Sequence, residues 1–385
     1  MASESTSTDP GLYPLRCREI LRDYGFGNRW IVAEFDKENL PDDHPVAETW
    51  EVCDRPGESS RVLNGALAGQ TLRQAIDALG ERLLGRDIAA RFGSTFPLII
   101  KLLDASNVLG AHLHPGDDLV RRRGMDDFSG KAEAWYMLRA RPHATILCGH
   151  RDGVGRNDLR QAMLAGEPQG CMQERAAATG DAFLLYPGTI HYSDGGLLFY
   201  EIMQNSDINT SLNPQVDDRY EPAPHVEARA DEILEGVHFE DGFDPRTRPV
   251  TIPTGDNRRT FLIACQYFAV ERLDLTAPHD LGMNGERFRV VTAIEGPVDA
   301  TWPGGIERLR CGQSCLVPAA LQGVSLAPVT GEPAGSPPAT AVLVASVPDL
   351  AADVVAPLRA AGVTDEAIRA LGGRSSLNPL NAVCC

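Results

Sequence analysis

Long apolar runs are missing from this chain. No stretch of about 18 consecutive apolar residues occurs, which is roughly what a membrane-spanning helix needs. The Ser/Thr-rich start, Met1 to Pro10, has no apolar centre and does not read as a secretory signal. Residues 1–11 are expected to form a disordered leader. Positive charge is also scarce. Lys and Arg number 36 against 53 Asp and Glu, a net charge of −17. Such a surface disfavours nucleic acid and anionic membranes as partners. An anionic substrate would have to be met by a local basic pocket. Cysteine pairs at zinc-knuckle spacing are absent too. The nine cysteines are scattered, and Cys311 and Cys315, the closest internal pair, have no companion pair. Reduced thiols in a cytoplasmic protein are the simplest account. Cys384 and Cys385 do not make a prenylation motif and are expected in an exposed tail.

With 385 residues the chain is long enough for two or more domains. Leu72, Ile76, Leu79, Leu83 and Leu84 recur at helical spacing and predict a helix over Gln70 to Phe92. The run Phe96 to Leu103 is almost wholly apolar and reads as a buried strand. Further strand-like runs are Glu133 to Leu138, Ala144 to Cys148, Ala182 to Tyr186 and Gly196 to Met203, with a polar helix, Asn157 to Leu164, between them. Many short strands with Gly and Pro turns suggest a barrel or sandwich. Residues 211–257 read as a connector with one helix, His225 to Glu235. Strands resume after Arg258, from Phe261 to Cys265 through Thr340 to Ser346, interrupted by a Pro/Gly-rich loop at Thr330 to Pro338. Two short helices follow, Leu350 to Ala361 and Asp365 to Leu371, and a loose tail is expected from Gly372 onward. Apolar Val354, Leu358, Ile368 and Leu371 suggest that these helices dock on this chain or on a partner.

The segment Ala111-His112-Leu113-His114-Pro115 carries the chemistry. Residues two apart on a strand point to the same face, so His112 and His114 can grip one metal ion together. Glu133 and His191, from later strands, would complete the shell. Glu133 lies among Trp135 and Tyr136, where an unpaired buried carboxylate would be costly and a metal would remove that cost. Three imidazoles and one carboxylate suit one borderline divalent cation: Zn first, with Fe, Mn, Co or Ni as alternatives. Lys101, inside the apolar run, and Lys131 are the basic candidates nearby.

These segments together resemble the type I mannose-6-phosphate isomerase family, of the cupin superfamily. The likeness covers roughly residues 12–348. It rests on Glu48 to Val52 ("ETWEV"), Phe96 to Ala105 ("FPLIIKLLDA"), "AHLHPGDD", "GKAEAWY", "YPGTIH" and "EIMQNSD", and on Cys265 to Leu275 ("CQYFAVERLDL"). The resemblance implies a mainly β fold of two cupin-type barrels (jelly rolls) with inserted and connecting helices and a C-terminal helical extension. The first, metal-binding barrel would span 12–210, the second, without metal, 258–348, and the extension 349–385. It further implies metal binding by His114, Glu133 and His191. The fourth family ligand is a glutamine, and here that position is His112. The chain also departs from the family where an arginine is thought to act in catalysis. The ungapped position is Ser211, and Arg219 could replace that arginine only through a loop shift. Gly110 aligns with a family serine.

The implied reaction is an aldose–ketose isomerisation, mannose 6-phosphate to fructose 6-phosphate, by proton transfer through an enediol. Lys131, Glu201 and Lys101 would be the catalytic groups, with Glu201 the proton carrier by resemblance. Lys101, Lys131 and Arg219 would bind substrate. Asp207 reads as a turn-capping aspartate. The two departures leave other functions open: a diverged metalloenzyme acting on another sugar or biosynthetic intermediate, as isomerase, epimerase or oxygenase, or a non-catalytic sugar-binding homologue.

Overall fold

The computed structural model describes residues 11–41, 43–125, 129–217, 219, 221–329 and 340–384. The expected leader up to Pro10, the loop Thr330 to Pro338 and Cys385 lie outside these residues. The fold is mainly β. A six-stranded sheet runs in the order Ala182–Leu185, Glu133–Ala140, Leu197–Gln204, Leu98–Ala105, Glu48–Val52, Ile20–Arg22. A five-stranded sheet faces it, ordered Met172–Ala176, Thr145–His150, His191–Ser193, Leu109–Leu113, Thr210–Ser211. Together they make the first barrel. The second is built from an eight-stranded and a four-stranded sheet.

The six-stranded sheet explains the apolar run around Lys101. Its cross-strand registers place Lys101 opposite Glu201, and Glu201 opposite Trp135. Directly opposed residues share a face, so Lys101, Glu201 and Trp135 all point into the first barrel. Glu133, two residues before Trp135, points the same way. The alternate residues, Ile100, Leu102, Tyr200 and Ile202, are fully buried on the other face. They belong to one apolar cluster with Val290, Leu343 and Ala345 of the second barrel. With both faces covered, the strand loses the polar/apolar alternation of a half-exposed strand.

Contacts tie the barrels into one core. Phe96 and Phe288 meet with ring centroids 4.8 Å apart. The strand Leu15–Arg18 near the start of the chain pairs with Ser314–Val317, inside the second barrel's sheet. A strand at Val250–Thr254, not foreseen from the sequence, pairs with Asn257–Ala264.

Two expectations are corrected. The single helix over Gln70 to Phe92 is three: Leu72–Leu79, Glu81–Leu84 and Arg86–Phe92. Gly80 and Gly85 break it with φ of +52° and +98°. At Gly85 a Cβ would come within 2.1 Å of the Glu286 carbonyl oxygen. Docking against the second barrel therefore sets the break, although the apolar spacing runs straight through it. The tail is not loose. Leu380–Val383 is helical, and Leu380 and Cys384 are buried with Ile368, Leu371, Val354 and Leu358 against Phe261, Ala264 and Ala269. The C-terminal helices thus dock on this chain, and Cys384 is not an exposed thiol. Leu380→Ala should lower the unfolding free energy by about 2–5 kcal/mol, read from a denaturant midpoint at constant m. A change within error would detach the tail from the cooperative core. Among the described residues no helix is long and apolar enough to cross a membrane.

Candidate metal and substrate site

The first barrel brings the four sequence-selected ligands together. His191 lies directly opposite His112 in the five-stranded sheet. His114 follows at the end of the same strand, and Glu133 begins its strand in the facing sheet. The three rings approach with centroids 4.1, 4.9 and 5.1 Å apart, and one nitrogen from each lies within 4.8 Å of the others. His114 Nε2 is 3.1 Å from Glu133 Oε2, and His191 Nε2 is 3.2 Å from Glu133 Oε1.

The backbone decides which nitrogen of each ring carries the proton. Nδ1 of His112, His114 and His191 lies 2.6, 2.9 and 2.8 Å from the carbonyl oxygens of Gly110, Ile208 and Thr189. A carbonyl only accepts, so each Nδ1 donates and each Nε2 of a neutral ring keeps a bare lone pair. Burial, helped by Lys131, lowers the His114 pKa to about 3, and burial with His191 and His114 holds His112 well below the usual histidine range. Burial works against charge on Glu133 too. Lys131 leads the influences that outweigh it and hold the carboxyl well below the ordinary carboxylate range. The neutral His114 ring therefore turns a lone pair toward one Glu133 oxygen, and His191 Nε2 points at the other. His114 Nε2, His191 Nε2 and Glu133 Oε1 are buried without hydrogen-bond partners. Lone pair against lone pair at this distance is repulsive, and a divalent cation removes the conflict. The donor set fits a metal, and the carbonyl-anchored Nδ1 groups give the ring orientation that metal-ligating histidines need.

Beside this cluster lies a cavity of about 830 Å³. Lys101, Lys131, Glu133 and Glu201 line it, and so do Glu48 and Asp207, which sequence reasoning did not place there. Lys101 Nζ is 3.1 Å from Glu48 Oε2 and 3.7 Å from Glu201 Oε2, and it lies 4.7 Å from the centroid of Trp50. Lys131 Nζ is 3.2 Å from Glu133 Oε2 and donates to Asn209 Oδ1 at 3.3 Å. Burial disfavours charge on Lys101, but Glu201 and Glu48 more than offset it and raise its pKa. Burial pushes Glu201 up to about 8, against the pull of Lys101, and Glu201 Oε2 has no hydrogen-bond partner. The cavity thus contains a carboxyl that can hold or release a proton near neutrality.

Two sequence expectations end differently. Asp207 caps no turn in the structure. It pairs with Arg55 at 3.2 Å, and Lys101, Lys131 and Arg55 overcome burial to lower its pKa. Its segment follows the strand carrying Glu201, and the sequence offered no sign of a partner 152 residues earlier, at Arg55. Arg219 is not among the residues lining the cavity. Its side chain is 78% exposed and held by Asp217 at 3.2 Å in its own loop. Ser211 does line the cavity, in a strand paired with His112. Glu48 carries a signal that could have been used. It shares "ETWEV" with Trp50, and its carboxylate accepts from Trp50 Nε1 at 2.6 Å.

The comparisons with known proteins agree with this geometry. Residues 12–139 match the family model described as phosphomannose isomerase type I, catalytic domain. A Bacillus subtilis protein named "Probable mannose-6-phosphate isomerase GmuF" is 30% identical over 231 residues, covering 58% of this chain and 69% of its own. The chain belongs to the type I phosphomannose isomerase family. Another relative, a mannose-6-phosphate isomerase of Streptococcus mutans, is 29% identical over 278 residues, 71% of this chain and 83% of its own. The crystal structure of mannose 6-phosphate isomerase from Bacillus subtilis superposes with a TM-score of 0.71 over 86% of this chain and 99% of that one, at 20% identity. That likeness confirms the cupin-type fold of this family member.

Proposed function

We propose that this family member is a metal-dependent aldose–ketose isomerase that interconverts mannose 6-phosphate and fructose 6-phosphate. The observation that carries the reading is the shared cavity: the metal cluster reaches it through His112 and Glu133, and the Glu201–Lys101 pair lines the same space. Family membership points to the same chemistry.

His112, His114, Glu133 and His191 would hold one divalent ion, zinc by our reading. When bound, such an ion supplies Lewis-acid polarisation of sugar oxygens. The rest of the chemistry belongs to this chain. Glu201 in its carboxylate form takes the proton from one sugar carbon and returns it to the neighbouring carbon. Its raised pKa of about 8 makes both the taking and the giving feasible near neutral pH. Lys101, kept charged by Glu48, lies beside Glu201 and stabilises negative charge that develops on the enediol oxygens. Lys131 supplies the second cation, toward the phosphate or the enediolate. The buried rings of Trp135 and Phe199, with centroids 4.8 Å apart, keep the floor rigid and exclude water.

The metal-loaded protein should interconvert the two sugar phosphates, with loss of activity on chelation and recovery on readdition. Absence of interconversion with metal bound would remove the reading. A second reading has its own observation. Ser211 stands where the family carries an arginine, Arg219 is held in its loop, and both cavity lysines are already paired with carboxylates. A cavity short of free cations favours a sugar without the phosphate. Comparing kcat/KM for mannose and for mannose 6-phosphate separates the two.

A further inference from the structure

A second groove, of about 870 Å³, lies on the other side of the Arg55–Asp207 pair. We propose that it binds a small phosphomonoester, such as a sugar phosphate, and that occupancy is felt in the catalytic cavity through Arg55. Three guanidinium groups, from Arg55, Arg61 and Arg73, line this groove in a protein whose net charge is −17. Arg73 pairs with the buried Asp54, and Arg55 is shared between Glu58 at 3.4 Å and Asp207 at 3.2 Å. Arg61 has no carboxylate partner among the described residues. Its Nη1 donates to the Gly69 carbonyl at 3.0 Å, and the side chain is exposed to the groove. Planar forks of this kind match the oxygens of a phosphate group.

Asn205 is part of the groove wall. Asn205 Nδ2 donates to the carbonyls of Asp54 and Phe96, both at 2.8 Å. That fixes the amide orientation and turns Oδ1 the other way, where it is buried without a donor. The half-buried rings of Tyr267 and Phe92 form apolar wall surface in the same groove, suited to a sugar face. The first-turn amides of the helix Leu72–Leu79 are already taken, Leu72 N by Ser60, Arg73 N by Ser59 and Gln74 N by Thr71. The side chains, not the helix end, would therefore hold the anion.

Coupling follows from the partner of Arg55. Asp207 lines the catalytic cavity and lies in the field of Lys101, Lys131 and Arg55 together. A phosphate that draws Arg55 toward the groove leaves Asp207 to the two lysines. Their charge would be more fully neutralised, and turnover would fall without direct competition for the substrate's place.

Glucose 1-phosphate is a suitable probe. Its anomeric carbon is blocked by the phosphate, so the ring cannot open and the molecule cannot be isomerised. Binding to metal-loaded full-length protein is measured by calorimetry, for wild type, Arg61→Ala and Thr95→Glu. Thr95 is an exposed residue on the groove wall, and a carboxylate there would repel the anion. Both variants should weaken binding by about tenfold to a hundredfold, while the KM for mannose 6-phosphate stays at the wild-type value. In wild type the probe should lower kcat. Undetectable binding to wild type, unchanged binding in both variants, or inhibition that is purely competitive would overturn the proposal. The binding result stands apart from the isomerase assignment, because calorimetry needs no turnover.

Discussion

Glu133→Gln is expected to leave a folded protein that no longer retains a stoichiometric metal ion and turns over at background. The substitution keeps the side-chain volume, so no cavity opens. It replaces two carboxylate oxygens, which now face His114 and His191 at 3.1 and 3.2 Å, by one carbonyl and one amide group. Loss of an outer-shell partner alone typically costs about 10–100-fold in metal affinity, and a ligand oxygen should cost at least the upper figure. The change also strips Lys131 of its partner at 3.2 Å. Leaving one charge of a buried pair alone costs about 3–5 kcal/mol, so a lower Tm is expected even without metal. The diagnostic readout is the metal dependence of Tm. Wild type should melt lower after chelation and recover on readdition, because a ligand of the native state stabilises by mass action. Glu133→Gln should show no such response. Retention of metal by the variant at wild-type affinity would remove Glu133 from the shell.

Glu201→Gln should lower kcat by about 10²–10⁴-fold, the usual contribution of a positioned general base, with KM little changed. The wild-type rate in the mannose 6-phosphate direction should rise with pH through about 8 as burial-raised Glu201 ionises, and the variant should lack that limb. Stability gives an independent check with a definite sign. The folded-state pKa of Glu201 lies above its unfolded value. The folded protein therefore binds the extra proton between the two, and ∂ΔG/∂pH of unfolding is negative there. The contribution is fully present below the unfolded pKa and is lost as pH rises through about 8. Glu201→Gln carries no charge to bury, so its stability relative to wild type should improve from pH 5 to pH 9. A variant with wild-type kcat would end the proton-carrier role. A relative stability that does not change with pH would place the carboxyl in a more polar setting than the structure shows.

Much of the site was legible because its signals are local. The His112–His114 spacing is a strand periodicity, and Glu133 and His191 each lie at a strand start marked by Gly or Pro turns. Lys101 drew attention as the single charge in an apolar run, and the structure places it on the cavity face with Glu201 opposite. The helices Arg156–Ala165 and Val226–Glu235 lie within a residue of the ranges read from sequence. Where the readings went astray, the deciding partner was distant in the chain. Asp207 looked like a turn cap because turn chemistry is local, whereas Arg55 comes from another hairpin. The break at Gly85 depends on the backbone of Glu286, and the order of the tail depends on Phe261 and its neighbours.

The sequence by itself therefore determined the strand periodicity, the identity of the metal-ligand candidates and the family to which they belong. All three are written in residue types at short spacings. Only the tertiary structure decided which nitrogen of each histidine faces Glu133, since that follows from the carbonyls of Gly110, Ile208 and Thr189. It alone excluded Arg219 from the cavity lining, joined Asp207 to Arg55, and raised Glu201. Those properties come from burial and from charges that approach through space. Packing between segments far apart in the chain creates them, and no local pattern encodes them.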